Sequence, residues 1–164
     1  MASKQKVFWD SCVIIDYLQQ DRNKIDILRE YTTKGENGVL EIIVSSFAMV
    51  EVAKLPELGL PDAEVEEAIE KFFGNPYIVR RAVDARVAKK AREIMRLARV
   101  KGKDAVHIAT AALAGVSVAH SYDPHLLNVD GLVRDKYGAF LKIEEPKSML
   151  PAMPLFDLQE EQDE

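Results

Sequence analysis

The chain has 164 residues, 48% hydrophobic and 30% charged, a formal net charge of -5 and a single cysteine. That length suffices for one domain to bury its own core, and one cysteine excludes an intrachain disulfide framework. No apolar run approaches the ~18 residues of a spanning helix and MASKQK leads into no signal-type segment, so a protein of the reducing cytosol is expected.

The opening stretch KVFWDSCVIIDYL passes from a β-prone run (Val7, Phe8, Trp9) through Asp10 to apolar residues at helical spacing (Val13, Ile14, Tyr17, Leu18). Asp10 therefore belongs where a strand ends and a helix begins. A second helix is expected over 23–34, ending before Gly35 to Gly38. VLEIIV at 39–44 reads as a buried parallel strand, and after Ser45 and Ser46 a helix FAMVEVAKL should carry Glu51 until Pro56 breaks it. Asp62 would cap a helix running to Phe73, and 77–83 is strand-like. Asp84 would cap a long helix with Val87, Ala91, Ile94, Met95 and Ala98 turned inward. Between Arg80 and Lys103 ten basic residues stand against two acids, a net of +8 that leaves -13 for the rest of the chain. This asymmetry fits a basic face for a polyanion, and equally a solvated helix face.

Asp104 opens the alanine-rich helix DAVHIATAALAG, a short strand follows at 116–119, and Pro124 turns the chain just after Asp123. A short helix near 125–129 and a last strand near 139–143 complete one domain over 1–150. Residues 151–164 form an acidic tail, disordered by composition. Strands alternate with helices throughout, which predicts an α/β fold with a parallel central sheet covered on both faces.

Asp10, Glu51, Asp104 and Asp123 all fall at or just past a strand's carboxyl end or at the opening of a helix, the edge where open α/β sheets bind ligands. Each alone reads as well as a helix cap or an exposed acid. Together they would repel one another unless a cation sat between them, and Mg²⁺ takes such hard oxygen donors. The chemistry that follows is in-line displacement at a phosphodiester.

Other chemistries fail on spacing. A cysteine-phosphatase loop needs Arg six residues after the cysteine, where this chain has Leu18, and an aspartyl-phosphate enzyme of the haloacid-dehalogenase type needs Asp where it has Cys12. His120 and His125 lack the i, i+4 spacing of a helical zinc pair. His107, one turn after Asp104, is read as a packed or outer-shell histidine. Asp16, about 600° around the helix from Asp10 at ~100° per residue, is read as surface.

The chain resembles the PIN-domain ribonucleases and, in size and layout, the VapC-type toxins of toxin–antitoxin pairs. The likeness rests on FWDSCVIIDYL, SSFAMVEV, DAVHIATA and SYDPHLL and spans about residues 6–145. It implies a three-layer α/β/α PIN-like fold and an endoribonuclease whose acidic quartet, Asp10, Glu51, Asp104 and Asp123, binds Mg²⁺ or Mn²⁺. Ser11 and Ser121 match the hydroxyl positions beside the first and fourth acids. The resemblance further implies an RNA substrate, a small antitoxin partner and a homodimer. Its alternatives are an RNA-processing nuclease without an antitoxin, or a PIN-fold module that binds without cutting. Cys12 departs from a usual Ser or Asn, which removes an expected hydrogen bond, and His120 departs from a usual apolar or hydroxyl residue.

Overall fold

A computed structural model describes residues 3–151. The acidic tail expected from 151 onward lies, beyond Pro151, outside the described residues. Five strands form the sheet: β1 (Gln5–Trp9), β2 (Leu40–Ser45), β3 (Ile78–Arg81), β4 (Val118–His120) and β5 (Ile143–Glu144). Every neighbouring pair is parallel, in the order β3-β2-β1-β4-β5.

Strand alternation divides the core into two. Val7 and Trp9 of β1 and Ile42 and Val44 of β2 point to one face, where α1 (Ser11–Leu18), α2 (Ile25–Glu36), α3 (Ala48–Glu51) and α4 (Asp62–Phe73) cover them. Phe8 and Ile43 point to the other, under α5 (Ala85–Ala98), α6 (Gly102–Ala114) and α7 (Pro124–Leu127). Both faces are buried, which is why these strands read as continuous apolar runs. The result is the expected three-layer α/β/α sandwich, with Phe8, Trp9 and Ile43 almost wholly out of solvent.

The strand order carries the functional geometry. From β1 the chain moves outward through β2 and β3, then returns to place β4 on the opposite side of β1. The order reverses between β1 and β4, and the crevice beyond the carboxyl ends of two such strands is where open α/β sheets hold ligands. Register pairs Trp9 with His120, so the residues following them, Asp10 and Ser121, meet at that edge.

Several local expectations are corrected. The helix expected over 47–55 stops at Glu51, because the chain turns to bury Val52 and Leu55 before a 3-10 turn at Pro56–Leu58. Asp62 is the first helical residue rather than the cap, which falls on Pro61. Asp104 lies within the first turn of α6, which starts two residues earlier at Gly102. Met95 is 41% exposed and outside the inward stripe, since only Val87, Ala91 and Ile94 of α5 are buried. The last strand is shorter and later than expected. Phe140 instead pairs antiparallel with Arg134 across a turn in which Gly138 takes φ +83. Among the described residues no helix is long and apolar enough to cross a membrane.

Candidate functional site

Asp10 follows β1 directly and is buried. It does cap α1, its Oδ1 accepting from the Val13 amide at 3.1 Å. The same oxygen accepts from the Cys12 thiol at 2.9 Å, and Oδ2 accepts from the Ser121 hydroxyl at 2.5 Å. Burial pushes this carboxyl up, and the hydrogen bonds from Cys12, Ser121 and Val13, with the charge of His107, offset only part of that. Asp10 is thus a helix cap whose carboxylate is also tied to Cys12 and Ser121.

Ser121 ties the first acid to the fourth. Its oxygen accepts from the Asp123 amide at 2.9 Å while its proton goes to Asp10. Asp123 is half-buried and caps α7, its Oδ1 accepting from the His125 amide at 2.8 Å. Cys12 belongs to the same knot, since the Tyr122 amide donates to its sulfur at 3.3 Å. Burial, then the Asp10 charge, pushes the thiol far above its ordinary range, so it stays protonated and donates. The hydrogen bond expected to be lost at Cys12 is supplied by S–H.

Glu51, at the end of α3, accepts from Nε2 of His107 and lies 3.8 Å from the Lys103 ammonium. Burial works to raise its carboxyl, but the hydrogen bond and charge of His107, a hydrogen bond from Ser11 and the charge of Lys103 hold it below the usual value. His107 is buried between the rings of Phe8 and Phe47, at 6.1 and 5.9 Å, and its Nδ1 has no partner among the described residues. His107 is packed, as expected, and its acid partner is Glu51. Neither that pairing nor the part of Lys103 was visible in the sequence, because Glu51 lies 56 residues away.

Asp104 is buried, and burial first, then the neighbouring Asp123 and Glu51, push its carboxyl up against the easing charges of Lys103 and His107. The four acids therefore come from four segments to one sheet edge. Asp10 and Asp123 share Ser121, and Asp104 feels Asp123 and Glu51. The carboxylates are not drawn into a closed cage: among the described residues no three His, Cys, Asp or Glu side chains stand where they could jointly hold a metal ion. A groove of about 350 Å³ between α1, α2 and α4, lined by residues such as Tyr17, Leu58 and Phe72, contains none of these acids.

Among the described residues the side chains of His120, His125 and Asp16 take no part in the hydrogen bonds that hold these acids. His120 is buried with its ring against Tyr31 at 4.9 Å, and desolvation holds it down to about 4, so it is neutral. His125 is exposed. Asp16 is half-buried rather than on the open surface, because Lys24 reaches it at 2.6 Å while lying over the Tyr122 ring. Arg81, Arg86, Lys89, Arg92, Arg96 and Arg99 are exposed, so the basic run forms an outward face.

Comparison with known proteins bears on this arrangement. The family model described as PIN domain matches residues 7–132. Among solved structures, the chain is similar to Mycobacterium tuberculosis VapC20, described as a sarcin-ricin loop cleaving toxin, at 14% identity and TM-score 0.59, covering 77% of this chain and 96% of that one. It is also similar to VapBC2 from Rickettsia felis bound to a DNA fragment from their promoter, at 10% identity and TM-score 0.56, covering 74% and 96%. At such identities the likeness is one of fold. No curated protein matches the sequence.

Proposed function

Because the chain belongs to the PIN domain family, we propose that it is a divalent-metal-dependent endoribonuclease, the toxin of a toxin–antitoxin pair, with residues 1–150 as its nuclease domain. The observation that carries the reading is the convergence of Asp10, Glu51, Asp104 and Asp123 at the β1/β4 reversal, with Asp104 penalised by Asp123 and Glu51. Such like-charge crowding costs stability and persists where a cation or a polyanion-handling task offsets it. The donor set is of the hard oxygen type that Mg²⁺ and Mn²⁺ prefer.

A bound Mg²⁺ or Mn²⁺ would supply charge to balance the carboxylates and Lewis acidity toward a phosphodiester. The chain does the rest. Asp10, hydrogen-bonded by Val13, Cys12 and Ser121, would anchor the cation. Asp104 and Asp123 would complete the ligand set. Glu51, aimed by His107 and Lys103, is suited to orient the attacking water, with its carboxyl held ionised as a proton acceptor. The exposed arginines of α5 would meet the RNA backbone. The toxin reading draws on the likeness to VapC20 and VapBC2, and with it come a small antitoxin partner, a homodimer and a cytoplasmic setting.

The test is direct. Purified protein should cut RNA with Mg²⁺ or Mn²⁺, stop in EDTA, and in the Asp104→Asn form lose more than the roughly 10- to 100-fold that loss of an outer-shell partner costs. Cutting that survives EDTA, or an Asp104→Asn protein as active as its parent, would sink the metal assignment.

A further inference from the structure

The α5–α6 turn, α7 and the residue after it enclose a hollow of about 220 Å³ with Asp104 in its wall. Its other polar lining is Arg99, Lys101, His125 and Asn128, all exposed, over a floor that includes the buried Val129. We infer that this hollow binds the nucleotide beside the scissile phosphodiester, with Arg99 and Lys101 on its phosphate and Asn128 and His125 on its base. The inference rests on the nuclease reading and adds to it the residues that select the cleavage position.

Five features of the hollow converge. Its charge is complementary to an RNA backbone: among the described residues neither Arg99 nor Lys101 makes a salt bridge, whereas Lys103 beside them is drawn to Glu51. Arg99 also holds a left-handed backbone, φ +54, at the end of α5. Glycine takes that position most cheaply, because a Cβ crowds the following carbonyl there. An arginine at such a cost is explained if its guanidinium is needed where the turn puts it.

Chemistry on the α7 side differs. His125 on α7 and Asn128, the residue that caps its C-terminal end, lie three positions apart and are both exposed, beside the buried Leu126 and Val129. Asn128 offers a donor and an acceptor side by side, the pairing that reads a base edge, and an exposed imidazole is a stacking plane for an unpaired base. The volume is smaller than the roughly 300–1,000 Å³ of drug-sized pockets, which suits one nucleotide component. Finally, the hollow abuts the acids: Asp104 lines it, and Asp123 caps the helix that supplies His125 and Asn128. A strand entering from the basic face of α5 would reach this hollow next to the cutting site.

The experiment uses the full chain with Mn²⁺ and a single-stranded RNA pool randomised around one cleavable position, with cut ends sequenced, alongside anisotropy of a labelled RNA octamer in EDTA. The parent should prefer one base at one position flanking the cut. Asn128→Ala and His125→Ala should each reduce that preference by about fivefold or more, the lower end of what a base-edge contact discriminates, without abolishing cutting. Arg99→Ala with Lys101→Ala should raise KM and lower the slope of log affinity against log salt by about 1.4, at ~0.7 per single-strand contact. A parent that cuts RNA while all three variants keep its base preference and salt slope overturns the hollow and leaves the nuclease standing. A parent that does not cut but whose octamer binding loses that slope in the double variant keeps the hollow and overturns the nuclease. A parent that neither cuts nor binds overturns both.

Discussion

The Ser121 hydroxyl donates to Asp10 Oδ2 at 2.5 Å although 111 residues separate them, and the same oxygen accepts the Asp123 amide at 2.9 Å. One buried side chain thus sets the spacing between the first and the last of the four acids. It can do so because β1 and β4 are neighbours in register at the point where strand order reverses.

Removing that hydroxyl should be costly in two ways. Ser121→Ala leaves Asp10 buried with one donor fewer and the Asp123 amide without its acceptor, a loss of about 1–3 kcal/mol. The urea midpoint should fall at unchanged slope, and metal-dependent cutting should fall further than in Ser11→Ala, because only Ser121 joins two of the acids. A Ser121→Ala protein with the parent's midpoint and activity would show that the relay has no mechanical role.

Asp104→Asn should reverse its rank with metal. An acid whose folded-state value is raised holds its proton more tightly when folded, so its ionisation subtracts stability as pH climbs past the ordinary 3.8 and through the raised value. At pH 7 in EDTA the asparagine protein should therefore melt higher than the parent. With Mn²⁺ at a hundredfold excess over its Kd the parent should gain about 2.7 kcal/mol and the variant distinctly less. A variant that melts lower than the parent in EDTA would contradict the raised carboxyl, which burial and then the neighbouring acids produce, and equal Mn²⁺ gains in parallel melts would remove Asp104 from the metal site.

His120 makes acid pH destabilising. Its folded value lies near 4 against an ordinary 6.5, so the unfolded chain takes up a proton first, and stability present above 6.5 is lost as pH falls toward 4. The shift corresponds to about 3 kcal/mol over that window. Raised Asp10 and Asp104 carboxyls work in the opposite direction above 3.8, so the informative quantity is the difference between parent and His120→Gln. Denaturant titrations at pH 7 and pH 4.5 should show that difference shrinking or changing sign in favour of the variant at the lower pH. A difference independent of pH would mean that His120 does not stay neutral in the fold.

The layered architecture was legible because both faces of β1 and β2 are buried, which leaves long β-branched runs that no helix period can mimic. Asp10 was legible as the residue after such a run. Element ends were less so: α3 stops at Glu51 because Val52 and Leu55 turn into the core, a demand of packing that local propensity for FAMVEVAKL does not register. His107 and Lys103 were missed as partners of Glu51 for a similar reason. Their helix carries an apolar pattern strong enough to account for the histidine, and only the arrival of α3 gives it an acid to hold.

By itself the sequence determined the layers and the place of Asp10 directly after a strand, since these rest on periodicity and on residues adjacent in the chain. Tertiary structure decided how the acids are held: Asp10 by Ser121 and a protonated Cys12, Glu51 by His107, and Asp104 crowded by Asp123 and Glu51. Hydrogen bonds and charges act over a few ångströms of space, and only the reversal of strand order between β1 and β4 brings segments more than a hundred residues apart to within that distance.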